Sequence, residues 1–170
     1  MAPLVRPSWS PQGHTPELRQ RTRAHKSVSV IACLCVSPGR DAVHMYFRLH
    51  AGANINAPRV LEFLRVLRRR LEGSVVLVWD RLQAHRARVV QHYVANNKSL
   101  HTYHLPPYAP ELNPVENVWS YLKMNPMSNL AITDLGELAD VSRRHSKALQ
   151  RRQHLLRAFI AHTPLPLGLK

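Results

Sequence analysis

Residues 74–80 read Ser74-Val75-Val76-Leu77-Val78-Trp79-Asp80. Five consecutive apolar side chains, three of them valines, predict a strand buried on both faces, because a half-exposed strand would alternate apolar with polar residues. A strand covered on both sides belongs in the middle of an α/β sheet. The acid that ends it stands where such sheets place their ligands, at the carboxyl end of a strand. The competing reading of Asp80 is an ordinary cap on the turn that follows.

The neighbouring segments extend this reading. Upstream, Val28 to Val36 (VSVIACLCV) and Val43 to Leu49 flank the turn Ser37-Pro38-Gly39-Arg40-Asp41 and predict an antiparallel hairpin. Asn56 caps a helix with Pro58 in its first turn. Val60, Leu64, Leu67 and Leu71 recur along it at helical spacing, and Gly73 stops it. Downstream, a helix is expected over 84–95 with Val89, Val90, Tyr93 and Val94 inward, then a short strand from Leu100 to Leu105. Pro106-Pro107-Tyr108-Ala109-Pro110 is a rigid loop that cannot be helical. Asn113 opens the next helix, with Val115, Val118, Trp119 and Leu122 inward, and a last helical region covers 134–161 with a break near Ser142 to Ser146. This order implies an α/β fold, a mixed sheet flanked by helices. The expected organisation is a basic Pro-rich arm over 1–27 anchored by Trp9, a core over 28–125, a basic helical region over 126–162 and a disordered tail over 163–170.

Charge narrows the class of partner. Among 170 residues, 24 Lys and Arg face 10 Asp and Glu, a formal net charge of +14. Such an excess points to a polyanion, usually nucleic acid. No run approaches 18 apolar residues, so no transmembrane helix is expected. The first 26 residues hold no apolar stretch of a secretory signal. Cys33 and Cys35, two apart on a strand, cannot build a disulfide framework and fit buried packing in a reducing compartment. Eleven scattered histidines show no zinc-ligand spacing. The basic residues fall in clusters. Arg81, Arg86, Arg88, Lys123, Arg143, Arg144, Arg151 and Arg152 are assigned to DNA phosphates, a sequence-independent and salt-sensitive contact. Aromatic residues are only 6% of the chain, so stacking platforms are not its obvious binding mode.

In a chain this basic, the retained acids carry the interest. Glu116 lies in the first turn of the helix opened by Asn113-Pro114-Val115-Glu116. Asn113 as cap, Pro114 at the first helical position and Glu116 three residues after the cap also spell a capping box, which explains the residue types without any function. It does not explain the rigid loop ahead of the helix or the partnership with Asp80. Two carboxylates from different elements suit a divalent ion with hard oxygen ligands, and a pair of such ions can assist phosphodiester cleavage.

Val76-Leu77-Val78-Trp79-Asp80-Arg81-Leu82-Gln83-Ala84-His85-Arg86 and Leu105-Pro106-Pro107-Tyr108-Ala109-Pro110-Glu111-Leu112-Asn113-Pro114-Val115-Glu116-Asn117-Val118-Trp119, ending in Leu122-Lys123, resemble the catalytic core of IS630/Tc1-mariner-type DDE transposases. The resemblance covers about residues 4–124, including Leu4 to Gly13, which look like the segment after the family's first strand. It implies a ribonuclease H-like fold and a metal-dependent DDE endonuclease that cuts and joins DNA at insertion-sequence ends. It implies Mg²⁺ or Mn²⁺ held by two aspartates and a third acid. Matched to the motif, Asp80 is the second aspartate and Glu116 the third acid. His85 matches the family's histidine, and Arg81 replaces its usual Asn. The first aspartate belongs to a strand preceding the segment that here begins at Met1. Asp41, the first aspartate of this chain, lies in a hairpin turn on the wrong side of the fold. The expectation is therefore an α/β core lacking its first strand, inactive alone, with an upstream reading-frame product to provide that strand and the DNA-binding region. The implied partners are double-stranded DNA (terminal inverted repeats and target) and a second copy in a homodimer. The implied location is the bacterial cytoplasm, at the nucleoid. The alternative is a non-catalytic basic DNA-binding remnant.

Overall fold

The computed structural model describes residues 10–14, 27–129 and 134–170. Trp9 and the basic residues of the N-terminal arm between 15 and 26 lie outside them. The elements are β1 (Val28–Val36), β2 (Val43–Ala51), α1 (Ala57–Arg70), β3 (Val75–Trp79), α2 (Arg88–Ala95), β4 (Leu100–His104), α3 (Pro114–Met124), α4 (Leu135–Gln150) and α5 (Gln153–Ala161), with one 3-10 turn at Pro110–Leu112. The Pro-rich loop is therefore not wholly irregular, since Pro110 begins that turn.

β1 and β2 form the expected antiparallel hairpin, in register from Val28↔Ala51 to Val36↔Val43. Alternate residues Val30, Ala32 and Leu34 of β1, with Val43, Met45 and Phe47 of β2, turn one face of this sheet onto α3, α4 and α5. That contact buries Val118, Leu122, Leu138, Leu149, Leu156 and Phe159. The opposite edge of β2 is covered by side-chain amides. Gln153 accepts from the Val43 N–H (3.1 Å) and donates to the Val43 carbonyl (2.8 Å), and Gln150 donates to the Met45 carbonyl (2.7 Å). Paired amides satisfy an edge that would otherwise be open to another chain.

β3 and β4 pair in parallel, from Val75↔Leu100 to Trp79↔His104. A second core lies on their covered face, where Val60, Leu61 and Leu64 of α1 meet Trp79 and Val90, with Leu77 and Ile31 packed against them. α1 forms as its sequence predicts, since the Asn56 side chain accepts from the Arg59 N–H and a proline sits in the first turn.

Several expectations are corrected. The described strands form two separate two-stranded sheets and not one mixed sheet, so β1 and β3 each have a strand partner on one edge only. Ile31 of β1 and Leu77 of β3 nevertheless lean on the same apolar cluster beside α1. β3 is covered on one face, not both: Val76 is 64% exposed and Val78 47%, with Tyr103 of β4 at 62% on the same side. The reason is that α1 and α2 reach only the face of Leu77 and Trp79, and no other described element covers the remaining one. α2 begins at Arg88 and not at 84, because residues 82–86 close tight turns (His85 N–H to Leu82 carbonyl 2.8 Å, Arg86 N–H to Gln83 carbonyl 3.2 Å). Val89 consequently faces solvent. The C-terminal helices break at Arg151–Arg152 and not at 142–146. Ser142 and Ser146 are buried mid-helix, with the Ser142 hydroxyl 3.9 Å from the Met127 sulfur. Residues 163–170 carry no regular structure, yet they are held. Thr163 is buried, Leu169 packs on the first core, and the Lys170 N–H donates to the Arg40 carbonyl (2.9 Å) while Arg157 donates to the Lys170 carbonyl. Among the described residues no helix is long and apolar enough to cross a membrane.

Candidate functional site

Asp80 emerges from the end of β3 with its two carboxylate oxygens in different situations. Oδ1 accepts from the Leu82 N–H (3.0 Å) and from Nδ1 of His85 (2.9 Å). Asp80 is thus a turn cap, as its plainest reading held, but the cap uses one oxygen. Oδ2 engages nothing among the described residues. The His85 ring is stacked on Trp79, with centroids 4.6 Å apart and planes 10° from parallel, and Trp79 also meets His104 at 5.8 Å. With Oδ1 and the Asp80 carbonyl (3.4 Å) both facing Nδ1, that nitrogen carries the proton. The His85 hydrogen bond holds the Asp80 carboxyl below the usual carboxylate range. Partial burial opposes the shift, while the Leu82 N–H and the nearby imidazoles of His85 and His104 reinforce it.

The same strand end anchors the next loop. The Leu105 N–H donates to the Trp79 carbonyl (2.8 Å), and Nε of Arg81 donates to the Leu105 carbonyl (3.1 Å). The residues on either side of Asp80 therefore hold the start of the Pro-rich loop, whose far end is the 3-10 turn and α3. α3 begins with the Asn113 side chain accepting from the Val115 N–H (3.2 Å) and Pro114 in the first turn. The helix is capped by Asn113, but the capping box is not built, since the Asn113 side chain takes the Val115 N–H and not that of Glu116. The Asn113 N–H, which the Glu116 carboxylate would accept in a full box, instead donates to the Pro110 carbonyl (2.9 Å). Glu116 is exposed, and its carboxylate has no partner among the described residues. The 3-10 turn displaces it from its structural task and leaves it available.

The candidate phosphate contacts divide between two regions. Arg81, Arg86 and Arg88 follow β3 and are exposed. Arg143, Arg144 and Arg151 line a shallow open cleft on α4 together with Lys147 and Asp140, and Arg143 pairs with Asp140 at 2.6 Å. Arg152 donates to the Tyr121 hydroxyl (3.0 Å), and Lys123 lies half-buried in the last turn of α3. Asp41 accepts the Ser37 hydroxyl (2.6 Å) within the hairpin turn, where its carbonyl also takes Arg157 Nη1 (2.7 Å), and it is committed there. Cys33 and Cys35 are free thiols with sulfurs 3.7 Å apart. Among the described residues no group of three His, Cys, Asp or Glu is arranged to hold a metal ion. The sequence singled out His85 only through its match to the family's histidine after the second aspartate. That it fixes one Asp80 oxygen needed the turn at Leu82 to be seen.

The sequence pattern of the DDE superfamily endonucleases matches residues 2–139. Solved structures share the architecture. The Mos1 strand transfer complex aligns with a TM-score of 0.67 and 18% identity, over 96% of this chain and 48% of that one. The Mos1 mariner paired end complex with Mn aligns at 0.64 and 16% identity, over 96% and 49%. The catalytic domain of Mos1 mariner transposase aligns at 0.57 and 14% identity, over 82% and 75%. The chain thus spans about half the length of the chains in the two complexes. No curated protein matches it in sequence. The α/β elements expected from the motifs are those of the ribonuclease H-like Mos1 fold, and the chain belongs to the DDE superfamily endonucleases.

Proposed function

We propose that this chain is the catalytic region of an IS630-type transposase, with Asp80 and Glu116 as two of its three metal-binding acids and double-stranded DNA as its substrate. One observation carries the reading. The free Oδ2 of Asp80 and the free carboxylate of Glu116 are tied to one scaffold by the hydrogen bonds of Leu105 to Trp79 and to Arg81. Two unengaged carboxylates are a donor set that fits Mg²⁺ or Mn²⁺, which take oxygen ligands and retain water for the rest. Bound there, such an ion would supply Lewis-acid neutralisation of charge at the scissile phosphate. The protein's own part is positional. His85, braced on Trp79, keeps the Asp80 carboxylate ionised and aimed, while the arginines after β3 and along α4 hold backbone phosphates.

The remaining acid, the first aspartate of the triad, in this reading comes from a strand encoded upstream, which adds between β1 and β3. Both strands have a free edge, and Ile31 and Leu77 flank the same apolar cluster. The chain without that strand is then inactive in cleavage. With it, the chain acts in the bacterial cytoplasm, as a homodimer that pairs two element ends. The second reading, a basic remnant that binds DNA without cutting it, is favoured by the lack of a three-ligand group among the described residues. Nicking of supercoiled DNA in Mn²⁺ separates the two. The transposase reading expects no nicking by the chain alone, nicking when the upstream-encoded strand is co-expressed, and its loss in Asp80→Ala and Glu116→Ala. Nicking that persists in both variants removes the assigned site. No nicking by the co-expressed pair leaves the DNA-binding reading.

A further inference from the structure

Three non-glycine residues among those described have a left-handed backbone: Arg40, Tyr108 and Asn129. Arg40 lies in the hairpin turn, closed by its own N–H to the Ser37 carbonyl (2.9 Å), and asparagine tolerates this conformation. Tyr108 has neither excuse. Its φ is +57°, a conformation that is strained for an aromatic side chain. No described residue packs on the ring to offset that strain: it is 101% exposed and makes no hydrogen bond or ring contact with the described residues.

The backbone around it is set on both sides. Pro106, Pro107 and Pro110 restrict φ. The loop starts at Leu105, held by Trp79 and Arg81, and ends in the 3-10 turn closed by the Leu112 N–H to Ala109 carbonyl (3.2 Å) and Asn113 N–H to Pro110 carbonyl (2.9 Å) bonds. An aromatic ring presented on a rigid loop loses little freedom on binding. The loop also joins β4, the strand paired with β3, to the helix that carries Glu116, so Tyr108 lies in the connection between the elements that bear the two carboxylates.

Resting on the reading of this site as one that cuts DNA, we propose that Tyr108 is a base-stacking residue that receives an unpaired nucleobase at the DNA end being processed. The occupant follows from the setting. A chain of charge +14 with Arg81 bound to the start of the loop favours a polyanion, and Tyr108, a fully exposed ring on that loop, offers the flat apolar face that every base can use. The arginines contact phosphates and set affinity for any duplex. Tyr108 adds a preference for ends with a splayed base, which the sparse aromatic content did not suggest.

The test measures binding of the full chain to two probes, a blunt duplex and the same duplex with a single-stranded overhang carrying a fluorescent adenine analogue. Wild type and Tyr108→Phe are expected to prefer the overhang and to quench the analogue. Tyr108→Ala is expected to bind the overhang about fivefold to a hundredfold more weakly, with blunt-duplex affinity unchanged. Tyr108→Gly relieves the left-handed strain, so it is expected to keep or raise Tm while losing the same preference. A ring with only a structural role would lower Tm and leave the preference intact. Equal overhang affinity in wild type and Tyr108→Ala overturns the stacking role while leaving DNA cutting untouched. Failure of wild type to bind either probe overturns both readings.

Discussion

At the scale of single residues, the informative contrast is between two aspartates that both cap turns. Asp41 accepts the Ser37 hydroxyl, and this bond, with the Asp41 and Ala42 backbone N–H groups and the charge of Arg157, holds its carboxyl below the usual range. The carboxyl binds its proton more weakly in the folded chain than in the unfolded one. Its contribution to stability is therefore complete above the ordinary carboxylate pKa, about 3.9, and is lost as pH falls through the lower folded value. Ser37→Ala is expected to lower Tm at neutral pH and to leave it unchanged at strongly acid pH, so the acid limb of a Tm-against-pH curve flattens below about pH 4. Asp80 caps its turn with one oxygen and keeps the other, and His85 maintains that division. His85→Ala is expected to weaken Mn²⁺ binding about tenfold to a hundredfold, as loss of a ligand's hydrogen-bonding partner does, measured by the paramagnetic signal of free Mn²⁺. An unchanged affinity would show that Asp80 needs no brace. Asp80 as a candidate could be read from its place after an apolar strand. Its brace could not, because His85 reaches it through a turn that the helical periodicity of residues 84–95 conceals.

At the scale of elements, the helices and strands with one strong local signal form where the sequence put them. Asn56 and Asn113 cap as their residue types demand, and the hairpin pairs antiparallel as expected. The differences arise where a long-range contact outweighs a local preference. Ser142 and Ser146 look like breakers, yet both sit buried inside α4, with the Ser142 hydroxyl against the Met127 sulfur. Thr163 to Lys170 looks like a free tail but is tied to Arg40 and Arg157, contacts over more than a hundred residues of sequence in the case of Arg40. The amides of Gln150 and Gln153 on β2 are of the same kind. Gln153→Ala leaves the Val43 N–H and carbonyl without partners. It is expected to cost about 1–3 kcal/mol and to speed hydrogen exchange at Val43 ahead of the rest of β2. Exchange that is uniform along the strand would mean the edge is not held at that point.

At the scale of the whole molecule, charge and sheet topology govern behaviour. If Lys147 and Arg151 contact phosphates, the double variant Lys147→Gln/Arg151→Gln is expected to lower the salt slope of DNA binding by about 2, one per lost contact, for any duplex sequence. A slope equal to wild type would place the DNA elsewhere, with the residues after β3 as the remaining candidates. A strong positive charge and an acid-bearing strand end were legible in the chain itself, since net charge is a sum over residues and an apolar run ending in Asp80 needs no partner to be recognised. The alternation of Val43, Met45, Phe47 and Leu49 with His44, Tyr46, Arg48 and His50 likewise marks the buried face of β2, whereas β1 is apolar on both faces. Tertiary structure alone decided that the strands form two sheets with open edges, that β3 is bare on one face, and that Glu116 is released from its cap by a hydrogen bond from Asn113 to Pro110. Each of these depends on which groups compete for one neighbour in space, and sequence spacing carries no record of that competition.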